Sequence, residues 1–128
     1  MTSVPARDGA SAEPTGEAES GVTAAVASAR FFKVLSDPTR LAILRLLLDG
    51  ERSVTELVDI LQVPQSRVSN HLACLRWCRF VEVDRRSRKA IYRVVDERLR
   101  TVLIDADTVS DSLCEHLVSC KRIGPAWI

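Results

Sequence analysis

Two short helices joined by a tight turn are the feature that most constrains how this chain folds. Ser53 and Glu56 have the spacing of a capping box and predict a helix start. Apolar residues recur at helical spacing as far as Leu61, and Pro64 then prevents that helix from continuing. A second helix is predicted from about Gln65. Its buried side would consist of Val68, Leu72 and Leu75. This arrangement predicts a helix-turn-helix.

The flanking sequence predicts a mainly α fold with one small β-hairpin. Asp37 and Pro38 are typical of a helix start, and Asp96 can cap a last helix. After the helix-turn-helix, two short β-prone runs flank a polar and mostly cationic tip. The additional predicted elements are helices over residues 22–35, 38–49 and about 97–118, and strands over residues 80–83 and 90–94. This order predicts a winged helix-turn-helix, in which residues 84–89 form the tip of the wing.

Composition divides the chain into three predicted segments. Residues 1–20 lack periodicity and are expected to be a disordered leader, residues 21–120 to be one domain, and residues 121–128 to be a C-terminal tail. No apolar run approaches the ~18–20 residues needed to cross a bilayer, and the N-terminus lacks a signal-peptide pattern. We therefore expect a soluble cytoplasmic protein with no membrane partner, whose four cysteines are thiols.

Positive charge is concentrated in the middle of the chain. Residues 30–100 contain 15 Lys and Arg against 9 Asp and Glu, although the formal net charge of the whole chain is only +1. A polyanion is therefore a predicted partner. The first turns of the second helix of a helix-turn-helix enter the DNA major groove, while cations of a wing contact the backbone. The candidate DNA-binding residues are Gln65, Ser66, Arg67, Ser69, Asn70 and His71 on the helix, and Arg85, Arg86, Arg88 and Lys89 on the hairpin. The alternative is a solvated helix and an ordinary charged hairpin, but the order of the elements favours DNA binding.

Two thiols follow the candidate DNA-binding residues in the second helix. Cys74 and Cys78 are one turn apart and differ by about 40° around the helix, so their sulfurs can share one ion. Thiolates select soft ions, including Cd(II), Pb(II), Hg(II), Cu(I), arsenite-type As(III) and Zn(II). Two ligands rarely suffice, and Cys114 and Cys120 could supply more. The alternative is that the pair packs as small semi-buried side chains.

Two segments resemble a known family. Residues 32–44, with the run from Ser36 to Arg40, are similar to the opening motif of ArsR/SmtB-type repressors, and residues 68–75 resemble their recognition helix. The resemblance covers about residues 24–118. It implies a winged-helix homodimer, joined through its first and last helices, that binds double-stranded operator DNA and leaves it when a metal or metalloid binds.

Branches of this family differ in the place of the metal site. One branch uses cysteines in the helix before the turn, where this chain has none, and another uses Asp and His pairs on the last helix, whose spacing Asp105, Asp107 and His116 do not reproduce. The run from Asn70 to Cys78 resembles a cadmium- and lead-sensing branch, and a mercury-responsive branch is equally similar. The resemblance implies Cd(II), Pb(II) or Hg(II) as inducer. The third ligand implied is Cys120, with Cys114 as the alternative, from either subunit.

Two other functions remain open at this point. The thiols could oxidise to a disulfide, which would make a redox sensor, or they could bind arsenite. A thiol enzyme that uses Cys74 and His71 is not expected, because the sequence offers neither a base with its orienting partner nor a substrate cleft. The chain is predicted to have no organic cofactor and no catalytic residues.

Overall fold

Eight elements follow one another in the computed structural model, which describes residues 14–119 and the side chains of residues 21–114 and of His116. They are α1 (Pro14–Leu35), α2 (Pro38–Asp49), β1 (Arg52–Ser53), α3 (Val54–Leu61), α4 (Gln65–Trp77), β2 (Val81–Arg86), β3 (Lys89–Val94) and α5 (Arg98–Ser119). The predicted mainly α fold with a small sheet is confirmed. Within these residues, no helix combines the length and the apolar character that crossing a bilayer requires.

The first helix begins earlier than the sequence analysis predicted. Residues 14–20 are the first turns of α1 and not part of a disordered leader. Pro14 is the first residue of the helix, a position that proline favours. The chain divides into two compact units between Val34 and Leu35, so that α1 forms nearly all that is described of the first unit. The predicted leader up to residue 13 and the predicted tail over residues 121–128 lie outside the described residues.

Local capping interactions determine where the helices of the second unit begin. The Asp37 carboxylate accepts a hydrogen bond from the Arg40 backbone N–H at 2.9 Å and caps α2. Ser53 and Glu56 form the predicted capping box: the Ser53 N–H donates to Glu56 Oε1 at 2.8 Å, and the Glu56 N–H donates to Ser53 Oγ at 3.2 Å. Gln62 has a left-handed backbone conformation, which ends α3 and turns the chain into α4. The helix-turn-helix therefore follows from short-range chemistry.

The sheet is larger than the predicted hairpin. Its strand order is β1-β3-β2, and all neighbouring strands are antiparallel. The two-residue β1, which pairs Arg52 with Tyr92, was not predicted. The hairpin strands also extend into the cationic segment, so the six-residue tip predicted over residues 84–89 is only Ser87 and Arg88. Cross-strand pairing of Glu82 with Arg93, whose side chains form an ion pair at 2.7 Å, offsets the low β propensity of charged residues.

Apolar side chains from six elements form the core of the second unit. Those with no more than 2% exposure are Ile43, Leu44, Leu57, Val68, Leu72, Leu75 and Val81. The predicted buried side of α4 is thus confirmed. Leu99 and Leu103 of α5 are also buried, and an Arg45–Asp107 ion pair joins α2 to α5. Val102, Val109 and Leu113 of α5 remain exposed, although they lie on the same helix as Leu99 and Leu103.

Candidate nucleic-acid interface and thiol pair

The N-terminal turns of α4 present a polar surface to solvent. Burial of Val68, Leu72 and Leu75 fixes the rotation of the helix, so the residues between them face outward. The exposed residues are Gln65, Ser66, Arg67, Ser69 and Asn70. Pro64 precedes the helix, and no side chain caps the helix end. Unpaired N–H groups at a helix N-terminus attract phosphate, so this end of α4 suits a nucleic-acid backbone.

His71 lies differently from its neighbours on α4. Its side chain is only 18% exposed, and its Nε2 atom is 3.7 Å from Asp37 Oδ2 at the start of α2. The same Asp37 carboxylate caps α2 through the Arg40 N–H. The structure therefore places His71 at the contact between α4 and α2, while its role in DNA binding stays a prediction.

The predicted wing cations are all exposed, but they do not have the same surroundings. Arg86 forms ion pairs with Glu51 at 2.9 Å and with Asp84 at 3.0 Å, and these two carboxylates raise the pKa of its guanidinium group. Arg85 and Arg88 have no carboxylate partner among the side chains of residues 21–114. Lys89 also lacks an ion pair there. The pKa of Glu56 is lowered chiefly by the hydrogen bond from the Ser53 backbone N–H, and the charge of Lys89 adds to this shift.

The two thiols at the end of the recognition helix lie close together. Cys74 is half-buried in the last turn of α4, and Cys78 is the more exposed residue that ends the helix. The Cys78 backbone N–H donates to the Cys74 carbonyl oxygen at 3.0 Å, so one helical turn separates the two residues. Partial burial is the largest cause that raises the pKa of the Cys78 thiol, and proximity to Cys74 adds to it, while the Arg40 guanidinium opposes the shift. The two thiols are thus close enough to influence each other, and their sharing of one ion stays a prediction.

Within the described part of one chain, Cys114 is not brought to this pair. Cys114 is exposed on α5, and Cys120 lies outside the described residues. Among the residues that the structure describes, no three His, Cys, Asp or Glu side chains are close enough together to hold one metal ion. Cys74 and Cys78 alone would therefore be an incomplete set of metal ligands within the described part of one chain.

Comparison with known proteins identifies the fold family. Residues 37–83 match the model of the arsR family of bacterial regulatory proteins. The chain is 40% identical over 96 residues to a probable mercury resistance operon repressor of Streptomyces lividans, which covers 75% of this chain and 77% of that protein. The chain belongs to the ArsR family. The family resemblance predicted from residues 32–44 and 68–75 is confirmed.

Other relatives agree with this membership. The ArsR-family chain is 42% identical over 104 residues to the transcriptional regulator CmtR of Mycobacterium bovis, which covers 76% of this chain and 88% of that protein. Its structure resembles the homodimeric winged helix-turn-helix DNA-binding domain of a possible ArsR-family transcriptional regulator from Mycobacterium bovis. That match has a TM-score of 0.63 and 30% sequence identity, and covers 73% of this chain and 89% of that domain. The protein is a DNA-binding transcriptional regulator with a winged helix-turn-helix.

Sequence reasoning missed two residues that surround the thiols of this ArsR-family regulator. Arg40 contributes its charge at Cys78, and Asp37 faces His71, so two charged residues at the start of α2 lie near the recognition helix. Asp37 was predicted only as a helix cap. Its second role depends on how α2 packs against α4, which no local spacing indicates. The signal available was the charged Asp37 and Arg40 at the start of an otherwise apolar helix.

Proposed function

We propose that this ArsR-family regulator is a metal-responsive repressor whose recognition helix carries part of the sensor. The apo homodimer binds operator DNA, and a soft metal ion releases it by binding the thiolates of Cys74 and Cys78 with a third thiolate. The observation that carries the proposal is the closeness of these two thiols, one to two turns after the exposed candidate DNA-binding residues of α4. The proposal includes a cytoplasmic location, because the operator lies there.

The donor set favours Cd(II), Pb(II) or Hg(II). Thiolate sulfur is a soft ligand, and Cys74 and Cys78 lie one helical turn apart, a spacing at which two side chains can bind one ion. The name of one relative points the same way, since it is a probable mercury resistance operon repressor. We favour Cys120 as the third ligand and keep Cys114 as the alternative, from the same chain or from the partner.

The DNA interface proposed for the repressor combines α4 with the wing. Exposed Gln65, Arg67 and Asn70 have the side chains that pair with base edges in a major groove. Ser66, Ser69 and His71 can contact phosphate, and the cations at the end of the hairpin add charge for the backbone.

A homodimer through α1 and α5 is the proposed DNA-binding form. Val22, Val26 and Phe32 of α1 are exposed, as are Val102, Val109 and Leu113 of α5. Apolar helix surfaces of this kind are stabilised by burial in an interface. A two-fold dimer also presents two recognition helices to the two half-sites of a pseudo-palindromic operator.

Ion binding releases DNA only if the ion prefers the geometry that does not fit the operator. A coupling free energy of ~1–3 kcal/mol weakens operator binding by roughly 5–150-fold. Asp37 and Arg40 at the start of α2 lie near His71 and Cys78, so a small tilt of α4 would change these interactions.

The decisive experiment titrates Cd(II), Pb(II), Hg(II) and arsenite into the protein and follows sulfur-to-metal ultraviolet absorption beside an operator gel shift. We expect an intense band and a parallel loss of the DNA complex. Cys74→Ser and Cys78→Ser should each abolish both responses. Cys120→Ser and Cys114→Ser form the matched pair for the third ligand, and only one of them should reproduce the loss. Unchanged release from DNA in the Cys74→Ser and Cys78→Ser variants would contradict the proposed site.

The closeness of the two thiols also supports a second candidate function, that of a redox sensor. Peroxide could oxidise Cys74 and Cys78 to a disulfide, with both thiol hydrogens and two electrons passing to peroxide, which is reduced to water. A redox sensor of this kind would leave the operator on peroxide treatment without metal, and dithiothreitol would restore the complex. Release by metal under reducing conditions would favour the metal sensor instead.

A further inference from the structure

The wing of this regulator ends in a turn that is unusual for its residues. Ser87 has a φ angle of 50° and Arg88 a φ angle of 69°, so both central residues of the hairpin turn are left-handed. Two-residue hairpin turns require this conformation, but Asn and Gly adopt it at the lowest conformational cost. Arg88 is thus held in a strained backbone at the outermost point of the wing, and such strain is often found at functional positions.

Arg86, on the adjoining strand, already forms ion pairs with carboxylates. It forms ion pairs with Glu51 and Asp84, while Arg93 forms ion pairs with Glu82 at 2.7 Å and with Asp84 at 3.9 Å. This cluster contains three carboxylates against two guanidinium groups, so no excess positive charge remains in it for a phosphate.

The Arg86–Glu51 pair spans the sheet. Glu51 directly precedes β1, Arg86 ends β2, and β3 lies between these two strands. The pair therefore links the outer end of the hairpin to the segment that directly precedes β1. Arg85 points to the opposite face of β2, because successive side chains of a strand alternate. Neither Arg85 nor Arg88 has a carboxylate partner within residues 21–114.

We propose that the carboxylates divide the wing cations into two roles. Arg85 and Arg88 contact DNA phosphates, and Arg86 is a positioning residue that fixes the wing through Glu51 and Asp84. The inference deepens the proposed repressor function, because it rests on the wing lying against operator DNA.

Salt dependence of DNA binding separates the two roles. Each phosphate contact that is lost makes the slope of log K against log salt less steep by about 0.9, hence by about 1.8 for a homodimer. The probe is a fluorescein-labelled duplex that the protein selects from a random-sequence library, followed by anisotropy over a range of NaCl concentrations. Arg85→Gln and Arg88→Gln should each reduce the slope by about this amount.

Arg86→Gln should behave differently. We expect roughly 2- to 5-fold weaker binding, the effect of an exposed ion pair, with an unchanged salt slope. Glu51→Gln is the matched variant, since it breaks the same pair without removing a cation. It should weaken binding to a similar extent, and the Arg86→Gln/Glu51→Gln double variant should be no weaker than either single variant.

Two results would overturn the inference: a salt slope that falls in Arg86→Gln as in Arg88→Gln, or tighter binding by Glu51→Gln. Both would mean that Arg86 contacts phosphate and that Glu51 competes for it. Thermal unfolding of each variant controls for folding. Release of the wild-type complex by Cd(II), measured in the same assay, tests the metal sensor separately, because its failure leaves the salt slopes unaffected.

Discussion

Cys78 shows how one side chain can couple the proposed sensor to pH. Burial is the main cause that raises the pKa of its thiol, and the neighbouring Cys74 adds to the shift. An ordinary cysteine already has a pKa of about 8.5, so at neutral pH Cys78 holds its proton. A metal ion must displace that proton, because the thiolate is the ligand.

Metal affinity should therefore rise with pH. Lowering the pH favours the protonated thiol and opposes the ion, so the apparent affinity for Cd(II) should increase by up to about tenfold per pH unit for each proton released, between about pH 6 and pH 8. Competition with a chelator of known pH dependence measures this. Cys114→Ser serves as a control if Cys120 is the third ligand. An affinity that stays constant over this range would show that no thiol proton is displaced.

At the scale of the elements, α3 and α4 are specified by different means. The reciprocal hydrogen bonds of Ser53 and Glu56 fix the start of α3, while α4 has no side-chain cap and depends on its buried Val68, Leu72 and Leu75. The exposed polar residues of α4 therefore do not cap or bury the helix, whereas Ser53 at the start of α3 stabilises the fold as a cap.

Two serine-to-alanine substitutions should separate stability from DNA binding. Ser53→Ala removes a buried cap and should lower the free energy of unfolding by about 1 kcal/mol. Ser69→Ala is the matched control in the exposed interior of α4, where alanine is the better helix former, so stability should be kept or slightly raised. Operator affinity at low temperature should follow the reverse pattern, with the loss in Ser69→Ala. Urea titration and anisotropy measure the two effects, and equal destabilisation of both variants would contradict this assignment.

The helix-turn-helix could be predicted because its determinants are local. The capping box, Pro64 and the apolar spacing of α4 all lie within the segment that they specify. Arg40 near Cys78 and Glu51 near Arg86 could not be predicted, since each contact joins elements that are distant in sequence. β1 was missed because two residues carry no periodicity. The spacing of Cys74 and Cys78 indicated that the two thiols lie close together. It could not indicate the third ligand, because the partner subunit could supply that ligand.

At the scale of the whole molecule, α5 leaves an apolar stripe without a partner in its own unit. Val102, Val109 and Leu113 lie within about 40° of one another around the helix and are exposed, although Leu99 and Leu103 beside them are buried. Such a stripe is what the proposed dimer would cover.

Val109→Glu should therefore shift the protein towards monomers. An unpaired carboxylate in an apolar interface costs at least about 2 kcal/mol for each protomer. Thr108→Glu is the matched control, because it adds the same charge to the next residue, about 100° away around the helix and off the stripe. Sedimentation velocity at micromolar concentration should show monomers only for Val109→Glu, together with weakened operator binding. A stable Val109→Glu dimer would exclude this stripe from the interface.

The thirteen residues of α4 and the Cys78 that directly follows them carry both the candidate DNA contacts and the thiol pair, in consecutive turns. No long relay has to be conserved for the response to persist. Substitutions in the last turn can therefore change which ion is sensed while the first turns keep the same operator, and substitutions in the first turns can redirect the regulator to new genes with the same ion. The sensed ion and the recognised operator can therefore be changed independently within one short helix, by natural selection or by a designer of biosensors.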